Sequence, residues 1–224
     1  MTGDAGEKGT ALVIGVGPGL GLSLARAFAE DGHPVAMIAR TKDRMSAEAE
    51  RLVAAGHPAA AFGADAGDPA ELEAALTEAV AQLGAPDVLL YNAAVVVPDA
   101  PSELSAAEFS RRLAVNVIGA KVAADVVVPL LRDGGGTLVF TGGDVGTKPS
   151  ATYTSLSVGK AGLRAFAYAL HDELRPSGIH VTTVTIYGAI GSDEDRFAPD
   201  VIAGTFLDVH HQPEGEWVPE QVYP

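Results

Sequence analysis

A glycine-rich turn near the N-terminus constrains the fold of this chain more than any other feature. The turn reads Gly15-Val16-Gly17-Pro18-Gly19-Leu20-Gly21. It follows a short apolar run and leads directly into a segment with helical periodicity. Glycines at such a turn let the backbone approach a pyrophosphate, and the helix N-terminus adds free N–H groups and a favourable dipole. A loop without a ligand is the simpler alternative, but the flanking strand and helix favour a dinucleotide site.

Apolar runs of the β type alternate with helical segments along most of the chain. We predict strands over residues 11–14, 35–39, 59–62, 88–91, 137–141 and 179–186. We predict helices over residues 21–30, 43–55, 69–83, 103–131 and 155–175. Strands that are apolar along their whole length indicate a parallel sheet covered on both faces. The sequence therefore predicts an α/β fold, a three-layer Rossmann-like doubly wound parallel sheet, as a single domain over residues 1–224.

Composition argues against several classes of function. A formal net charge of −14 disfavours a nucleic-acid partner, since a phosphate backbone needs a basic face. The chain has no cysteine, which excludes disulfides and thiolate catalysis, and its histidines lack metal-ligand spacing, so we predict no metal. The N-terminus has no apolar signal-like stretch, and we expect no apolar run long enough to span a membrane. We therefore expect a cytoplasmic protein with no membrane partner.

Further motifs follow the glycine turn in a consistent order. Gly15, Gly19 and Gly21 have the spacing Gly-x3-Gly-x-Gly. The later motifs are Asp65, Asn92-Ala93-Ala94, Asn116, Lys160 and Tyr187-Gly188 with Ser192. Over about residues 10–192, this set resembles the short-chain dehydrogenase/reductase family. The resemblance implies that a nicotinamide cofactor is bound by Gly15, Gly17, Gly19, Leu20, Gly21, Asp65, Ala66, Asn92, Ala93, Lys160, Gly188, Ile190 and Ser192.

The residues after the second predicted strand indicate which cofactor is preferred. An acidic residue there would accept hydrogen bonds from the ribose 2′-hydroxyl and repel a 2′-phosphate. This chain instead has Ala39, followed by Arg40, Thr41 and Lys42. Arginine matches a phosphate with two parallel hydrogen bonds, and lysine adds a point charge. The alternative is that Arg40 and Lys42 are only the solvent-exposed first residues of a helix. In so acidic a protein we predict binding of NADP(H) in preference to NAD(H).

The catalytic positions depart from the family pattern. In the family, a serine and a tyrosine polarise and protonate the substrate carbonyl, while a lysine lowers the tyrosine pKa and holds the nicotinamide ribose. Four residues before Lys160 this chain has Leu156, and thirteen residues earlier it has Gly143. The resemblance thus implies Asn116 and Lys160 as catalytic residues, without the tyrosine and the serine.

Several side chains are candidates for the missing proton donor. Tyr153 lies seven residues before Lys160, on the same face of a continuous helix, and is the third predicted catalytic residue. Other candidates in this region are Thr141, Asp144, Ser155 and Ser157. The C-terminal segment offers His210 and His211.

The chain after Gly188 breaks the alternation of strands and helices. We predict a loop-rich segment with a short helix. The remaining residues near the end are enough for a short seventh strand. Residues 189–215 correspond to the substrate lid of the family. Its apolar members, Phe197, Phe206 and Leu207, together with Trp217 suggest a small or medium apolar substrate. In the family the helices matching 103–131 and 155–175 form a dimer interface, which implies a homodimer or homotetramer.

Three functions are compatible with this sequence. The first is an NADP(H)-dependent oxidoreductase with an atypical active site, acting on a carbonyl, imine or enone. The second is an NADP(H)-binding protein without redox turnover. The third is a non-redox isomerase or lyase on the same fold. The fold alone does not choose between them.

Overall fold

A seven-stranded sheet organises the chain in the computed structural model, which describes residues 8–131 and 134–224. The strands are β1 (Thr10–Ile14), β2 (Val35–Ala39), β3 (Ala59–Gly63), β4 (Pro86–Tyr91), β5 (Gly136–Gly143), β6 (Ile179–Ile186) and β7 (Glu220–Tyr223). Their order is β3-β2-β1-β4-β5-β6-β7, and every neighbouring pair is parallel. The order reverses between β1 and β4, as in doubly wound folds. The predicted fold class is confirmed.

Seven α-helices pack against the two faces of the sheet in the described part of the chain. They are α1 (Leu20–Glu30), α2 (Lys42–Ala54), α3 (Pro69–Leu83), α4 (Ala106–Leu113), α5 (Gly119–Leu131), α6 (Thr154–Leu174) and α7 (Pro199–His210). A π-helical turn, Ala114–Ile118, joins α4 to α5. The helix predicted from residue 103 begins later because the Ser105 hydroxyl caps α4, accepting the Glu108 N–H at 3.2 Å.

The hydrophobic core forms two layers, one on each face of the sheet. On β1, Leu12 and Ile14 face the layer covered by α3, α5 and α6. Ala11 and Val13 face the layer covered by α1, α2 and α7. This alternation follows the two-residue period of a strand, and all four side chains are at most 1% exposed. The continuous apolar run of β1 is therefore explained by burial on both faces.

One helical stretch is long and apolar enough to cross a membrane by length and composition alone. It is Ala106–Leu131, with 26 residues. The expectation that no apolar run reaches this length was therefore wrong. In the structure its small residues Ala120, Ala123 and Ala124 are buried against the core. Their burial shows that this helical stretch covers one face of the sheet.

A polar cluster attaches the short edge strand β7 to α6. The Glu220 carboxylate accepts two hydrogen bonds from Arg164, at 2.8 and 2.7 Å, one from Tyr168 at 2.9 Å and one from Thr185 at 2.7 Å. These contacts, above all those from Arg164, lower the pKa of Glu220 to about 2. The paired carboxylate helps to keep a strand of four residues in the sheet.

Candidate functional site

A cavity of about 690 Å³ lies at the carboxyl ends of the strands. Its walls come from the last residues of β1, β2, β5 and β6 and from the loops that follow β1, β3, β4 and β6. It spans the point where the strand order reverses, which is where ligands bind in open α/β sheets. The predicted site residues that line it are Gly15, Gly17, Leu20, Arg40, Asp65, Ala66, Asn92, Ala93, Lys160, Gly188 and Ile190.

The glycine turn is packed so tightly that two of its glycines cannot carry a side chain. Gly15 has a φ of +88°, and a Cβ there would lie 2.8 Å from the carbonyl carbon of Asn92. A Cβ at Gly21 would clash with the Gly15 carbonyl oxygen and lie 2.9 Å from Val16 Cα. At Gly17, by contrast, a Cβ would meet nothing within 4 Å. The turn therefore exposes bare backbone to the cavity, although Gly19 and Gly21 themselves are not among its lining residues.

Asn92 connects the glycine turn to the centre of the sheet. Its side-chain Nδ2 donates to the Gly15 carbonyl at 3.0 Å, and its Oδ1 accepts a hydrogen bond from Thr141 Oγ1 at 3.0 Å. The preceding residue, Tyr91, points the opposite way because successive strand residues alternate faces. Its hydroxyl donates to the Val115 carbonyl at 2.5 Å, and burial raises the pKa of Tyr91 well above its ordinary value. These bonds tie β1, β4, β5 and the π-helical turn together.

The residues predicted to read the cofactor ribose lie at the end of β2. Arg40 is exposed and lines the cavity, whereas Thr41 and Lys42 are exposed at the start of α2 and do not line it. Asp65 lies in the loop after the neighbouring strand, β3. Its carboxylate accepts a hydrogen bond from the Gly67 N–H at 2.8 Å. The structure thus brings Arg40 and Asp65 to the same end of the cavity.

Asn116 lies in the π-helical turn and is only 1% exposed. Its Oδ1 accepts the backbone N–H of Val95 at 2.7 Å, which holds the loop after β4 in place. A Cβ at Gly159 would lie 3.0 Å from Asn116 Nδ2, so the glycine allows α6 to approach closely. Nδ2 has no hydrogen-bond partner among the described residues, and Asn116 does not line the cavity.

Lys160 is buried on α6, and its ammonium group faces the centre of the sheet. Its Nζ donates to the Thr141 carbonyl at 2.6 Å. Burial lowers the pKa of Lys160 to about 8 because an ammonium ion is poorly solvated there. A Cβ at Gly146 would lie 2.9 Å from the Lys160 carbonyl carbon, so the turn after β5 packs directly on this helix.

Leu156 and Gly143 both line the cavity beside Lys160. Leu156 lies one helical turn before the lysine and is 8% exposed. A Cβ at Gly143 would have a single neighbour within 4 Å, Lys160 Cγ at 3.9 Å. The wall around the lysine is therefore apolar at Leu156 and open at Gly143.

The serine and tyrosine candidates near the start of α6 lie outside the cavity lining. Tyr153 is half-buried before the first turn of α6. Ser155 hydrogen-bonds through both its N–H and its hydroxyl to the Asp99 carboxylate, which also pairs with Arg112 at 2.7 Å. Ser157 Oγ donates to the Tyr153 carbonyl at 2.8 Å. Both serines therefore stabilise the helix start.

Two expectations about the C-terminal segment are corrected by the structure. Phe197 and Phe206 are at most 2% exposed and belong to the core beside α1, so they give no information on the substrate. Because α7 runs away from the cavity, His210 ends near the amino end of β5, with Nδ1 at 3.0 Å from Thr137 Oγ1. His211 follows it, so neither histidine reaches the cavity. Ser192 is exposed and does not line it either.

Sequence reasoning missed the apolar part of the cavity wall. The lining residues that were not among the predicted site residues include Ala94, Val95, Val96, Val115, Val145 and Ala189. Three of them follow Asn92 closely, so their place after a central strand could have identified them. Val115 and Val145 gave no such signal, because each reaches the cavity through a local turn.

Comparison with known proteins identifies the family. The family model described as short chain dehydrogenase matches residues 9–194. An uncharacterized oxidoreductase of Methylorubrum extorquens is 32% identical over 182 residues, which is 80% of this chain and 72% of the relative. This chain belongs to the short-chain dehydrogenase family. The matched stretches span 52% to 72% of the length of the first three curated relatives.

Solved structures support the same assignment. A short-chain dehydrogenase from Rhodopseudomonas palustris has a TM-score of 0.87 and 26% identity, covering 96% of this chain and 98% of that chain. A metagenomic short-chain oxidoreductase solved in complex with NADP has a TM-score of 0.85 and 24% identity, with 96% of both chains covered. Members of the family bind nicotinamide cofactors and act on small molecules.

Proposed function

We propose that the protein is an NADP(H)-dependent oxidoreductase whose active site lacks the tyrosine and the serine of its family. One observation supports this more than any other. The glycine turn, Arg40 and Lys160 line one cavity together with Leu156 and Gly143, which the family resemblance aligns with the two catalytic positions. When bound, the reduced nicotinamide would supply a hydride. The chain itself would bind the cofactor, orient it and exclude water from the substrate.

The proposed preference for NADP(H) depends on the end of β2. The Arg40 side chain lines the cavity and forms no hydrogen bond or ion pair with the other described residues, which supports its proposed contact with a 2′-phosphate. Lys42 adds positive charge nearby, and no acidic residue follows β2 before Asp43. A protein with the same fold was solved with NADP. We propose that the remaining predicted cofactor residues, including Ser192, act as the family resemblance implies.

The substrate is proposed to be a small molecule that is largely apolar. Val95, Val96, Val145, Leu156 and Ile190 form the apolar lining beyond Lys160. Asn116 is proposed to position the loop after β4, and Lys160 to contact the cofactor ribose. Neither Asn116 nor Tyr153 lines the cavity, but Asn116 holds Val95 of the cavity wall, so Tyr153 is the least supported of the three predicted catalytic residues.

A binding protein without redox turnover is the second candidate. Leu156 and Gly143 favour it, since neither side chain can protonate a carbonyl. Non-redox isomerisation or elimination is the third. Both of these candidates differ from the proposed oxidoreductase in that they consume no reduced cofactor.

Two measurements test the proposed function. NADPH binding is followed by cofactor fluorescence, and NADPH oxidation is followed with 9,10-phenanthrenequinone as a carbonyl probe. We expect binding and slow oxidation. Binding without oxidation of this probe favours the second or the third candidate, which product analysis without net cofactor change separates, and absence of binding rejects the first two.

The double variant Gly143→Ser/Leu156→Tyr tests the proposed departure from the family. A positioned acid contributes roughly two to four orders of magnitude in rate, so the double variant should reduce the quinone faster. The open space at Gly143 accommodates the serine. Gly143→Ser/Leu156→Phe is the matched control, with similar volume and no phenol. Equal rates in both would contradict the proposal.

We propose that the protein is cytoplasmic and that it forms a homodimer through α5 and α6. Ile118 and Leu130 on the α4–α5 segment and Val158 on α6 are exposed, at 50%, 44% and 44%. Light scattering on the purified protein would measure its mass.

A further inference from the structure

The ammonium group of Lys160 has an unusual environment. The residue is 8% exposed, and its Nζ has a neutral acceptor, the Thr141 carbonyl. Within the described residues no carboxylate forms an ion pair with it, and burial alone shifts its pKa. An ammonium group has three N–H bonds, so two remain for other acceptors. Burying an ammonium group with unsatisfied N–H bonds destabilises the folded protein, and groups of this kind are common at functional sites.

The space beside this lysine is where the substrate oxygen would lie. Leu156 and Gly143 occupy the positions that flank it, and neither carries a proton donor. At Gly143 the cavity is open, because a Cβ added there would have Lys160 Cγ, at 3.9 Å, as its nearest neighbour. Thr141, which also lines the cavity, directs its hydroxyl to Asn92. Lys160 therefore has N–H groups left for an oxygen placed in this space, whereas the Thr141 hydroxyl is already engaged.

Resting on the proposed function, we propose that Lys160 itself donates the proton to the substrate oxygen, and that the substrate is a ketone, aldehyde or enone with an otherwise apolar body. The carbonyl carbon, or the β-carbon of an enone, accepts a hydride from the reduced nicotinamide. The π-electron pair moves to oxygen, which takes one proton from Nζ. The lysine is left neutral and regains its proton from water. The substrate is reduced by two electrons and the nicotinamide is oxidised by two.

The charged surroundings permit this role. Arg40 and Asp65 line the other end of the cavity, beyond β2 and β3. Asp144 lines it directly after Gly143 and is the carboxylate nearest in sequence to the open space. The depressed pKa, about 8, lies close to neutral pH, where a general acid is most effective.

A phenol probe tests the proposal without knowledge of the substrate. The phenolate of 4-nitrophenol imitates the oxyanion that develops during hydride transfer, and its visible absorbance distinguishes it from the neutral phenol. With NADP⁺ saturating and the pH below the probe's own pKa, we expect wild type to bind the phenolate form. Lys160→Met should weaken phenolate binding by about tenfold or more, the usual value of a charged hydrogen bond.

Lys148→Met is the matched control, because this exposed lysine lies in the same β5–α6 connection. It should leave phenolate binding unchanged. Binding of the neutral phenol, absence of binding, or an unchanged phenolate affinity in Lys160→Met would each overturn the proposal. NADP⁺ affinity is measured for every variant, so that loss of cofactor binding is not mistaken for loss of the proton donor.

A second measurement needs only the folded wild-type protein and Lys160→Arg for assignment. The chain has five lysines, so carbon-labelled lysine gives a simple spectrum. We expect the Lys160 signal to titrate near pH 8 and to shift when 4-nitrophenolate binds. Titration of Lys160 near the ordinary lysine value of about 10.4, or no shift of its signal on binding, would overturn the inference. If wild type fails to bind NADPH at all, the proposed function fails instead.

Discussion

The two ends of the parallel strands are both rich in polar groups, yet only the carboxyl end forms the cavity described above. At the amino end, His33 donates from Nδ1 to the Gly9 carbonyl at 2.8 Å, and its ring lies 5.1 Å from that of His210. His180 stacks on Trp217 with ring centroids 4.9 Å apart. At the carboxyl end, glycines replace side chains and leave room. The difference teaches that the cavity depends on positions without a side chain, the glycines, as much as on the side chains that line it.

Acid pH should affect the amino end most strongly, which is the largest effect we predict. Burial lowers the pKa of both His180 and His210 to about 4. Around His210, His33 and His211 act in the same direction, while Asp31 and Asp87 partly oppose it. The unfolded chain therefore binds more protons between about pH 6.5 and 4, so the free energy of unfolding falls as the pH falls through this range. We expect a loss of about 2–3 kcal/mol for each histidine, and therefore about 4–6 kcal/mol for the two together.

Urea denaturation at several pH values measures this loss. His210→Asn keeps a nitrogen near the position of Nδ1 and cannot be protonated, so it should flatten the slope. The range between about pH 6.5 and 4.5 is the informative one, because the low pKa of Glu220 adds a loss only at more acidic pH. An unchanged slope in the variant would show that His210 does not carry its share of the effect.

Filling the glycine turn should be the next largest effect. Gly21→Ala places a Cβ against the backbone of Gly15 and Val16, which cannot move aside as a flexible side chain could. We expect about 3 kcal/mol of lost stability or more, together with loss of NADPH binding. Urea denaturation and fluorescence titration measure the two. Gly215→Ala is the control, since a Cβ there meets nothing within 4 Å. Similar losses in both variants would refute the argument from packing.

Removal of Arg40 should change cofactor affinity and leave stability intact. We expect Arg40→Ala to weaken NADPH binding by roughly 1.5–3 kcal/mol, the usual value of hydrogen bonds to a charged group. NADH binding, which involves no 2′-phosphate, should change little. Competitive titration of both cofactors measures the difference. Equal losses for the two cofactors would mean that Arg40 does not read the 2′-phosphate.

Lys42→Ala should have the smallest effect. Lys42 is exposed and does not line the cavity, so its contribution to NADPH affinity should be below about 1 kcal/mol. The same titration, repeated at high salt, should remove most of that difference. A loss as large as that of Arg40→Ala would place Lys42 in the site.

Much of the carboxyl-end site was predictable because parallel strands bring their last residues to one edge. Gly15, Asn92 and Gly188 each follow a strand, and all three line the cavity. Prediction failed where a side chain's direction depended on packing. His210 belongs to the lid segment in sequence, but α7 carries it to the opposite edge of the sheet. Phe197 and Phe206 of the lid proved to be core, because hydrophobicity alone does not distinguish a buried ring from a substrate contact.

The sequence by itself determined the layered parallel sheet and the glycine turn, and it places Leu156 and Gly143 four and seventeen residues before Lys160. These follow from local patterns, in which periodicity and spacing carry the information. Only the tertiary structure decided that Lys160 is buried against the Thr141 carbonyl and that open space adjoins it at Gly143. Both depend on how β5, the turn after it and α6 pack together. Since solvation of an ammonium group is set by that packing, its acidity could not be derived from neighbours in sequence.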